Sequence, residues 1–190
     1  DIFPGTKTGN PTKLTMVGNT LYFVLTDSTT GSELWKSDGT DSGTVLVKDI
    51  NPGTAGSNIK GMIAVRDELY FSAFEASTGQ ELWKTDGTIA GTVMLPEVYE
   101  GVNNSDPALF TLKGDTLFFT ANHPEYGNEL WWVFTQCMFP SFTSSIGCAG
   151  IPINFEDKSD LFGKTLSTRF WDFGKGDSAT TSNVDYKFNI

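Results

Sequence analysis

Apolar and polar residues alternate along most of the first 134 residues, in short runs separated by turn residues. Leu21, Phe23 and Leu25 form one such run, and Val45 and Val47 form another. Alternate residues lie on the same face of a β-strand, whereas one face of a helix recurs every 3.6 residues. The pattern therefore predicts short strands joined by tight turns, and no helices.

The whole pattern repeats at an interval of 48 residues. Asn19–Phe23 aligns with Asp67–Phe71 and Asp115–Phe119, and Gly31–Val47 aligns with Gly79–Leu95. Repeats of this length bury their apolar faces only by stacking on their neighbours. We therefore expect an all-β fold of four-stranded antiparallel units similar to propeller blades. The copies span residues 1–48, 49–96 and 97–133, and the third is truncated. Two complete units cannot close a ring, so the sequence is a fragment of a longer array, or the units stack linearly, or other chains complete the assembly; we favour the fragment.

A different pattern begins after Phe134. A linker over residues 134–140 leads into a segment, 137–190, in which Ile151, Ile153 and Phe155 alternate before an aromatic strand and a Gly-rich turn. This spacing predicts a second and smaller domain, a β-sandwich.

Composition narrows the range of functions. The chain has 13 Lys and Arg against 23 Asp and Glu, a net charge of −10, and such a surface repels nucleic acids and anionic membranes. The longest apolar run, Leu130–Phe134, is too short to span a bilayer. Neither a phosphate-binding loop nor a nucleophile motif is present. We expect no nucleic-acid partner, no membrane insertion, no cofactor, no bound metal and no enzymatic activity.

The strings ELWKSDGTDSGT and ELWKTDGTIAGT resemble the ELWK/DGT repeats of large secreted and surface proteins of bacteria, especially Bacteroidetes. In the third copy ELW is kept, but Trp132 replaces the lysine and the DGT turn is absent. The resemblance implies a propeller-like extracellular scaffold. The positions that match and that we interpret as structural are Glu33, Trp35, Asp38, Glu81, Trp83, Asp86, Glu129 and Trp131.

The segment from Cys148 onward resembles the polycystic-kidney-disease (PKD) repeat, an Ig-like sandwich with a W-x-F-G-D-G turn. Trp171–Gly174 and Gly176 match that turn, and Lys175 stands where the family usually has Asp. The resemblance implies a closing strand after Tyr186 that this sequence does not include, so we expect more polypeptide, or a strand donated by a neighbour, to complete the sandwich.

The repeated positions have alternative interpretations. The three repeated tryptophans could form a sugar-stacking ladder, and the Asp-Gly turns could hold calcium. A position that every unit repeats is usually needed to build the unit, and the turns lack the alternating oxygen ligands of a calcium loop. We therefore favour packing and turn geometry for both.

Residues that break the repeat are better candidates for a specific binding site, because a scaffold does not require them. Four positions qualify: Tyr99, His123, Tyr126 and Trp132.

Two further features indicate an extracellular protein. Cys137 and Cys148 are the only cysteines, and a disulfide between them would imply an oxidising compartment; two buried free thiols are the alternative. The triplets at Ser28, Thr116 and Ser178 resemble a short O-glycosylation motif of Bacteroidetes, with Ser28 and Ser178 the better candidates because Thr116 opens a predicted strand.

Taken together, these features predict a non-catalytic structural or adhesive module of a secreted or cell-surface protein, with assembly by strand donation as one route. Its partners would be other protein chains, further domains of the same polypeptide, or cell-surface glycans. The alternative is a carbohydrate-binding accessory region of a larger secreted hydrolase.

Overall fold

A computed structural model of the chain describes residues 9–135 and five short strands beyond them. The chain divides into two compact units, Asp1–Thr135 and Gln136–Ile190. Every regular element among the described residues is a β-strand, and all strand pairs are antiparallel. The all-β prediction is confirmed, and none of the described sheets closes on itself.

The first unit contains three sheets, one for each copy of the repeat. The first sheet, in the order β1-β2-β3-β4, consists of β1 (Thr12–Val17), β2 (Thr20–Asp27), β3 (Gly31–Ser37) and β4 (Val45–Lys48). The second sheet, ordered in the same way, consists of β5 (Lys60–Val65), β6 (Glu68–Glu75), β7 (Gly79–Thr85) and β8 (Val93–Met94). The third sheet has three described strands, β9 (Ala108–Lys113), β10 (Thr116–His123) and β11 (Gly127–Phe134).

The register of the three sheets repeats with the sequence. Each central hairpin pairs a phenylalanine with the tryptophan of the ELW motif: Phe23 with Trp35, Phe71 with Trp83, and Phe119 with Trp131. The first hairpin of each sheet turns at a residue with positive φ, which is Gly18, Arg66 or Gly114. Positive φ is the conformation that two-residue hairpin turns require.

The sheets stack through apolar faces. We call the contact between the first and second sheets the first junction, and that between the second and third sheets the second junction. At the first junction, Val24, Leu34 and Val47 pack in one buried cluster with Phe71 and Trp83. At the second, two smaller clusters form around Leu117 and around Phe119, again with side chains of both sheets. Each sheet therefore covers the next, because no single sheet can bury its own apolar face.

The glutamates of the ELW motif hold the linkers that connect successive sheets. Glu33 is fully buried, and its carboxylate accepts hydrogen bonds from the Ile50 and Asn51 amides (3.3 and 3.4 Å) and from Ser57 Oγ (2.7 Å). Glu81 does the same for Ser105, through the amide at 3.0 Å and Oγ at 2.6 Å. Burial raises the pKa of Glu33 to about 7, although these hydrogen bonds oppose the shift. The carboxylates therefore act as clamps between one sheet and the next.

The DGT turn is built from side-chain hydrogen bonds to the backbone. Asp38 Oδ1 accepts from the Thr40 amide (2.9 Å) and hydroxyl (2.7 Å), and these bonds lower the pKa of Asp38. Thr40 Oγ1 in turn accepts from the Gly43 amide (2.9 Å). A Cβ on Gly43 would lie 1.9 Å from Asp38 Oδ1, so any larger residue there would displace the Asp38 carboxylate from the turn. Asp86 and its neighbours repeat this arrangement in the second sheet.

The second unit is described at five strands. Phe142–Ser144 (β12), Ile153–Asp157 (β13) and Asn183–Tyr186 (β16) form a three-stranded sheet in the order β12-β13-β16. Trp171–Gly174 (β14) pairs with Asp177–Ala179 (β15). Cys137 and Cys148, the predicted disulfide pair, lie outside the described residues. In the part of the chain that the structure describes, no helix is long and apolar enough to cross a membrane.

Candidate functional site

A cavity of about 760 Å³ opens at the second junction. Its walls come from the segment that follows β8, from β10 and β11, and from the turn between them. Aromatic and apolar side chains make up most of the lining, with three carboxylates. The lining residues on which the argument depends are Pro96, Tyr99, His123, Tyr126, Trp131 and Trp132.

The structure brings all four of the repeat-breaking candidates to this cavity. Tyr99 comes from the linker after β8, His123 from the end of β10 and Tyr126 from the following turn. Trp132 borders the cavity from β11, but it follows Trp131 on the strand and pairs with Phe118, so its side chain lies on the opposite face of the sheet. The rings of His123 and Tyr126 are stacked, with centroids 4.6 Å apart and an interplanar angle of 14°. The linker residue and the hairpin residues lie close together because the linker after one sheet runs against the hairpin of the next.

Trp131 lies beside these aromatic rings and is held in place by a hydrogen bond within its own hairpin. Its ring centroid lies 5.6 Å from that of His123, and its Nε1 donates a hydrogen bond to the Ala121 carbonyl (3.2 Å). The indole is therefore fixed to the hairpin while the ring borders the open space. Trp131 is only half-buried, whereas its counterpart Trp83 is 4% exposed at the first junction.

A lysine covers the corresponding tryptophan at the first junction. Lys48, at the end of β4, extends over the ring of Trp83 with its Nζ 5.4 Å from the ring centroid, and it donates a hydrogen bond to the Thr92 carbonyl (2.9 Å). A cation at this distance above an indole is attracted by the negative face of the ring. The residue at the matching position after β8 is Pro96, which is too short to cover Trp131.

Two further differences between the junctions concern a hydrogen-bonded link between the linker and the hairpin turn. At the first junction the buried Asn51 side chain accepts from the Ala76 amide (3.2 Å) and donates to the Gly56 carbonyl (2.8 Å), which draws the linker to the hairpin turn. At the second junction these positions are Tyr99 and Pro124. Proline has no amide hydrogen, so the corresponding bond cannot form.

The cavity is acidic. Its described lining residues include Glu97, Glu100 and Glu125 but no Lys or Arg. Glu97 Oε2 accepts from the Gly101 amide (2.7 Å), and the amide of Glu125 donates to His123 Nδ1 (3.2 Å). The site combines aromatic faces with negative charge, which suits neutral polar or cationic ligands and disfavours anions.

The repeated residues do not come together in a shared cleft. Trp35 lines a separate cavity of about 360 Å³ on the first sheet, Trp83 is buried at the first junction, and Trp131 lies at the second. Glu33 and Glu81 are buried in their linker clamps, whereas Glu129 on β11 is exposed. Of the candidate glycosylation sites, Ser28 is exposed in the turn between β2 and β3, and Ser178 lies within β15.

Sequence reasoning did not single out Pro96, Pro124 or the three glutamates, and it assigned Trp131 to the scaffold alone. The same alignment that revealed the repeat contained the signal, since Lys48 aligns with Pro96 and Ala76 with Pro124. What the alignment lacked was the fact that Lys48 fills space above an indole.

Among the residues that the structure describes, no three His, Cys, Asp or Glu side chains come together in a way that could hold a metal ion. No family model matches the chain, and no curated protein or solved structure shows significant similarity to it.

Proposed function

We propose that this chain is a non-catalytic adhesive module of a secreted or cell-surface protein, and that it binds its ligand in the cavity at the second junction. The observation that carries the proposal is the contrast between the two junctions, which share one register but differ in a lysine, an asparagine link and the space these leave. A feature that a repeat scaffold does not require is best explained by binding.

The repeats supply the scaffold in this proposal. Their resemblance to ELWK/DGT units favours an extracellular, propeller-like array, and the stacking of one sheet on the next agrees with such an arrangement. The PKD-like unit would act as a spacer or assembly module. Strand donation into that unit stays a prediction, since most of its residues lie outside those described.

The burial of Glu33 and Glu81 favours binding over catalysis. Paired carboxylates for glycoside hydrolysis must flank a single bond with access to a substrate. Glu33 and Glu81 are instead buried and hydrogen-bonded to the linkers. A chain built in this way uses these acids to hold its sheets together.

Carbohydrate is a second candidate ligand. The aromatic rings that line the cavity favour it. The ring of Tyr99 and the stacked pair of His123 and Tyr126 offer flat faces on which a sugar ring could stack. In that case the chain would be the carbohydrate-binding region of a larger hydrolase.

The test is a binding screen of the full chain against glycans, peptides and small amines, with Tyr126→Ala and Leu14→Ala as matched variants. Both side chains are about equally exposed, at 62% and 63%, but only Tyr126 lines the cavity at the second junction. We expect Tyr126→Ala to weaken binding and Leu14→Ala to leave it unchanged. Equal effects of the two variants, or turnover of any polysaccharide or peptide in the screen, would contradict the proposal.

A further inference from the structure

We infer that the cavity at the second junction recognises an alkylammonium group, specifically the side chain of a lysine carried by a partner polypeptide. The inference rests on the proposed function, since it assumes that the cavity binds a ligand, and it adds the chemical class of that ligand. It follows from a comparison of the two junctions within this one chain.

The first junction shows an occupied form of the site. The four-carbon stem of Lys48 leads its ammonium to a point 5.4 Å from the centroid of Trp83 and 2.9 Å from the Thr92 carbonyl oxygen. The interaction combines a cation above an indole face with a hydrogen bond to a backbone oxygen. This fold therefore already accommodates a lysine at this place in its repeat.

The second junction keeps the indole and loses the cation. Trp131 pairs with Phe119 in the same register in which Trp83 pairs with Phe71, so the two tryptophans occupy matching positions on their strands. Pro96 stands where Lys48 would supply the ammonium. An aromatic ring that is covered by a cation at one junction is left bordering open space at the other.

The charges around the cavity favour a cation over a neutral sugar. Glu97, Glu100 and Glu125 line it, and none of its described lining residues is Lys or Arg. At the first junction only the aligned Asp49 matches one of these, because Pro52 and Ser77 stand where Glu100 and Glu125 do. The net charge of −10 adds a long-range attraction for cations.

A lysine side chain fits better than a small free amine. The apolar residues Leu95 and Val98 line the cavity beside the aromatic rings and would contact a four-carbon stem, as apolar surfaces do for lysine elsewhere. The first junction already holds a lysine side chain that is part of a polypeptide, namely Lys48. The partner would therefore present an exposed lysine in an extended or loop segment.

The direct test uses three probes on the full chain: the peptide Gly-Gly-Lys-Gly-Gly with blocked ends, the same peptide with Nε-acetyllysine, and 1,5-diaminopentane. Binding is followed by calorimetry and by the indole N–H signals in NMR spectra. We expect the acetylated peptide to bind about tenfold more weakly, since acetylation removes the cation, and we expect the lysine peptide to weaken as salt is raised. The indole signal of Trp131 should shift on binding.

Variants at position 96 test the mechanism. Pro96→Lys restores the lysine of the first junction, so its own ammonium should fill the site and weaken binding of the lysine peptide about tenfold or more. Pro96→Gln is the matched comparison, because it adds a long polar side chain without a cation, and it should weaken binding of the lysine peptide less than Pro96→Lys does. Circular dichroism of both variants checks that they fold.

Position 48 provides the reverse experiment, which does not depend on an unknown partner. Lys48→Ala should lower the melting temperature, and n-butylammonium should raise it again by occupying the vacated space, whereas n-butanol of the same length should not. The wild type, whose first junction is already filled, serves as the control. Equal rescue by the alcohol and the amine would overturn the assignment of this place to a cation.

The outcomes separate the inference from the proposed function. Glycan binding that Tyr126→Ala abolishes, with no binding of the lysine peptide, would overturn the inference and leave the proposed function standing. Binding of no probe class would overturn both. Diaminopentane binding as tightly as the peptide would overturn the lysine assignment in favour of a free amine, and equal binding of both peptides would overturn the cation.

Discussion

The first and second junctions use equivalent strands, the same register and the same ELW motif, yet the first buries its tryptophan in a core cluster and the second borders an open cavity of about 760 Å³. Phe71 at the first is fully buried, and its counterpart Phe119 borders the cavity. The difference arises mainly from three positions outside the paired strands of the second junction: Pro96, Tyr99 and Pro124. The second junction keeps its strand pairing and its buried Glu81 clamp although part of its apolar face is open.

The largest expected effect is on core packing. Phe71→Ala should lower the free energy of unfolding by about 3–5 kcal/mol, since it removes a buried aromatic ring and leaves a cavity. Phe119→Ala should cost less, because part of the space next to Phe119 is already open. Urea denaturation of both variants measures the two values. A Phe119→Ala loss equal to or above that of Phe71→Ala would mean that the second junction is as tightly packed as the first.

The next effect is a dependence of stability on pH at the first junction. The pKa of Glu33 is raised to about 7 by burial, so the folded protein holds this proton in a range where the unfolded chain has released it. The stabilisation is complete below the ordinary carboxyl pKa and is lost as pH rises through about 7. Relative to Glu33→Gln, the wild type should lose roughly 3 kcal/mol between pH 4.5 and 8.

The exposed Glu129, which occupies the same repeat position, is the control for this measurement. Glu129→Gln should change the free energy of unfolding by less than about 0.5 kcal/mol, as exposed substitutions usually do, and denaturant titrations at each pH follow both variants. If Glu33→Gln follows the wild-type curve in parallel over the whole range, Glu33 is ionised in the folded protein and burial does not control its proton.

Sequence patterns predicted the strands well because three copies report the same alternation and the same turns. They did not predict which faces are covered. Leu14 and Met16 on β1 are largely exposed, although they alternate like core residues, while their counterparts Met62 and Ala64 pack against the first sheet. Periodicity identifies a strand, but burial depends on whether another sheet lies against that face.

Only part of the candidate site was predicted from the sequence, because the rest depends on contacts between the sheets. The aromatic residues that break the repeat were recognisable as exceptions, and Tyr99 and Tyr126 do line one cavity. Pro96 and Pro124 act instead through what they lack, a long cationic side chain and an amide hydrogen. Such losses become meaningful only when the structure shows what Lys48 and Ala76 contribute at the other junction.

A smaller effect concerns the asparagine link. Asn51→Ala should destabilise the protein by about 1–2 kcal/mol, because it removes two buried hydrogen bonds and leaves the Ala76 amide and the Gly56 carbonyl without this partner. Thermal and chemical denaturation provide the measurement. A change below about 0.3 kcal/mol would show that water replaces the link without cost.

The reverse change sharpens the same comparison. Tyr99→Asn together with Pro124→Ala installs the pair at the second junction, and the two substitutions should be coupled favourably by about 0.5–1 kcal/mol in a double-mutant cycle. The double variant should also bind ligand more weakly, since the linker is drawn toward the hairpin. Strict additivity would indicate that the two linkers differ for reasons other than this hydrogen bond.

The smallest expected effect is at Trp132, which stands where the second sheet has Lys84. Lys84 forms an ion pair with Glu68 (2.7 Å), but the counterpart of Glu68 in the third sheet is Thr116, so a lysine at position 132 would find no carboxylate at that place. Trp132 is 57% exposed, and surface substitutions of this kind usually change stability by less than about 0.5 kcal/mol. Trp132→Lys should therefore unfold at nearly the wild-type denaturant concentration, because the side chain at position 132 lies on the face of the third sheet opposite to Trp131. A loss of stability above about 1 kcal/mol would show instead that Trp132, which packs edge-on against Phe134 with ring centroids 5.0 Å apart, supports the third sheet.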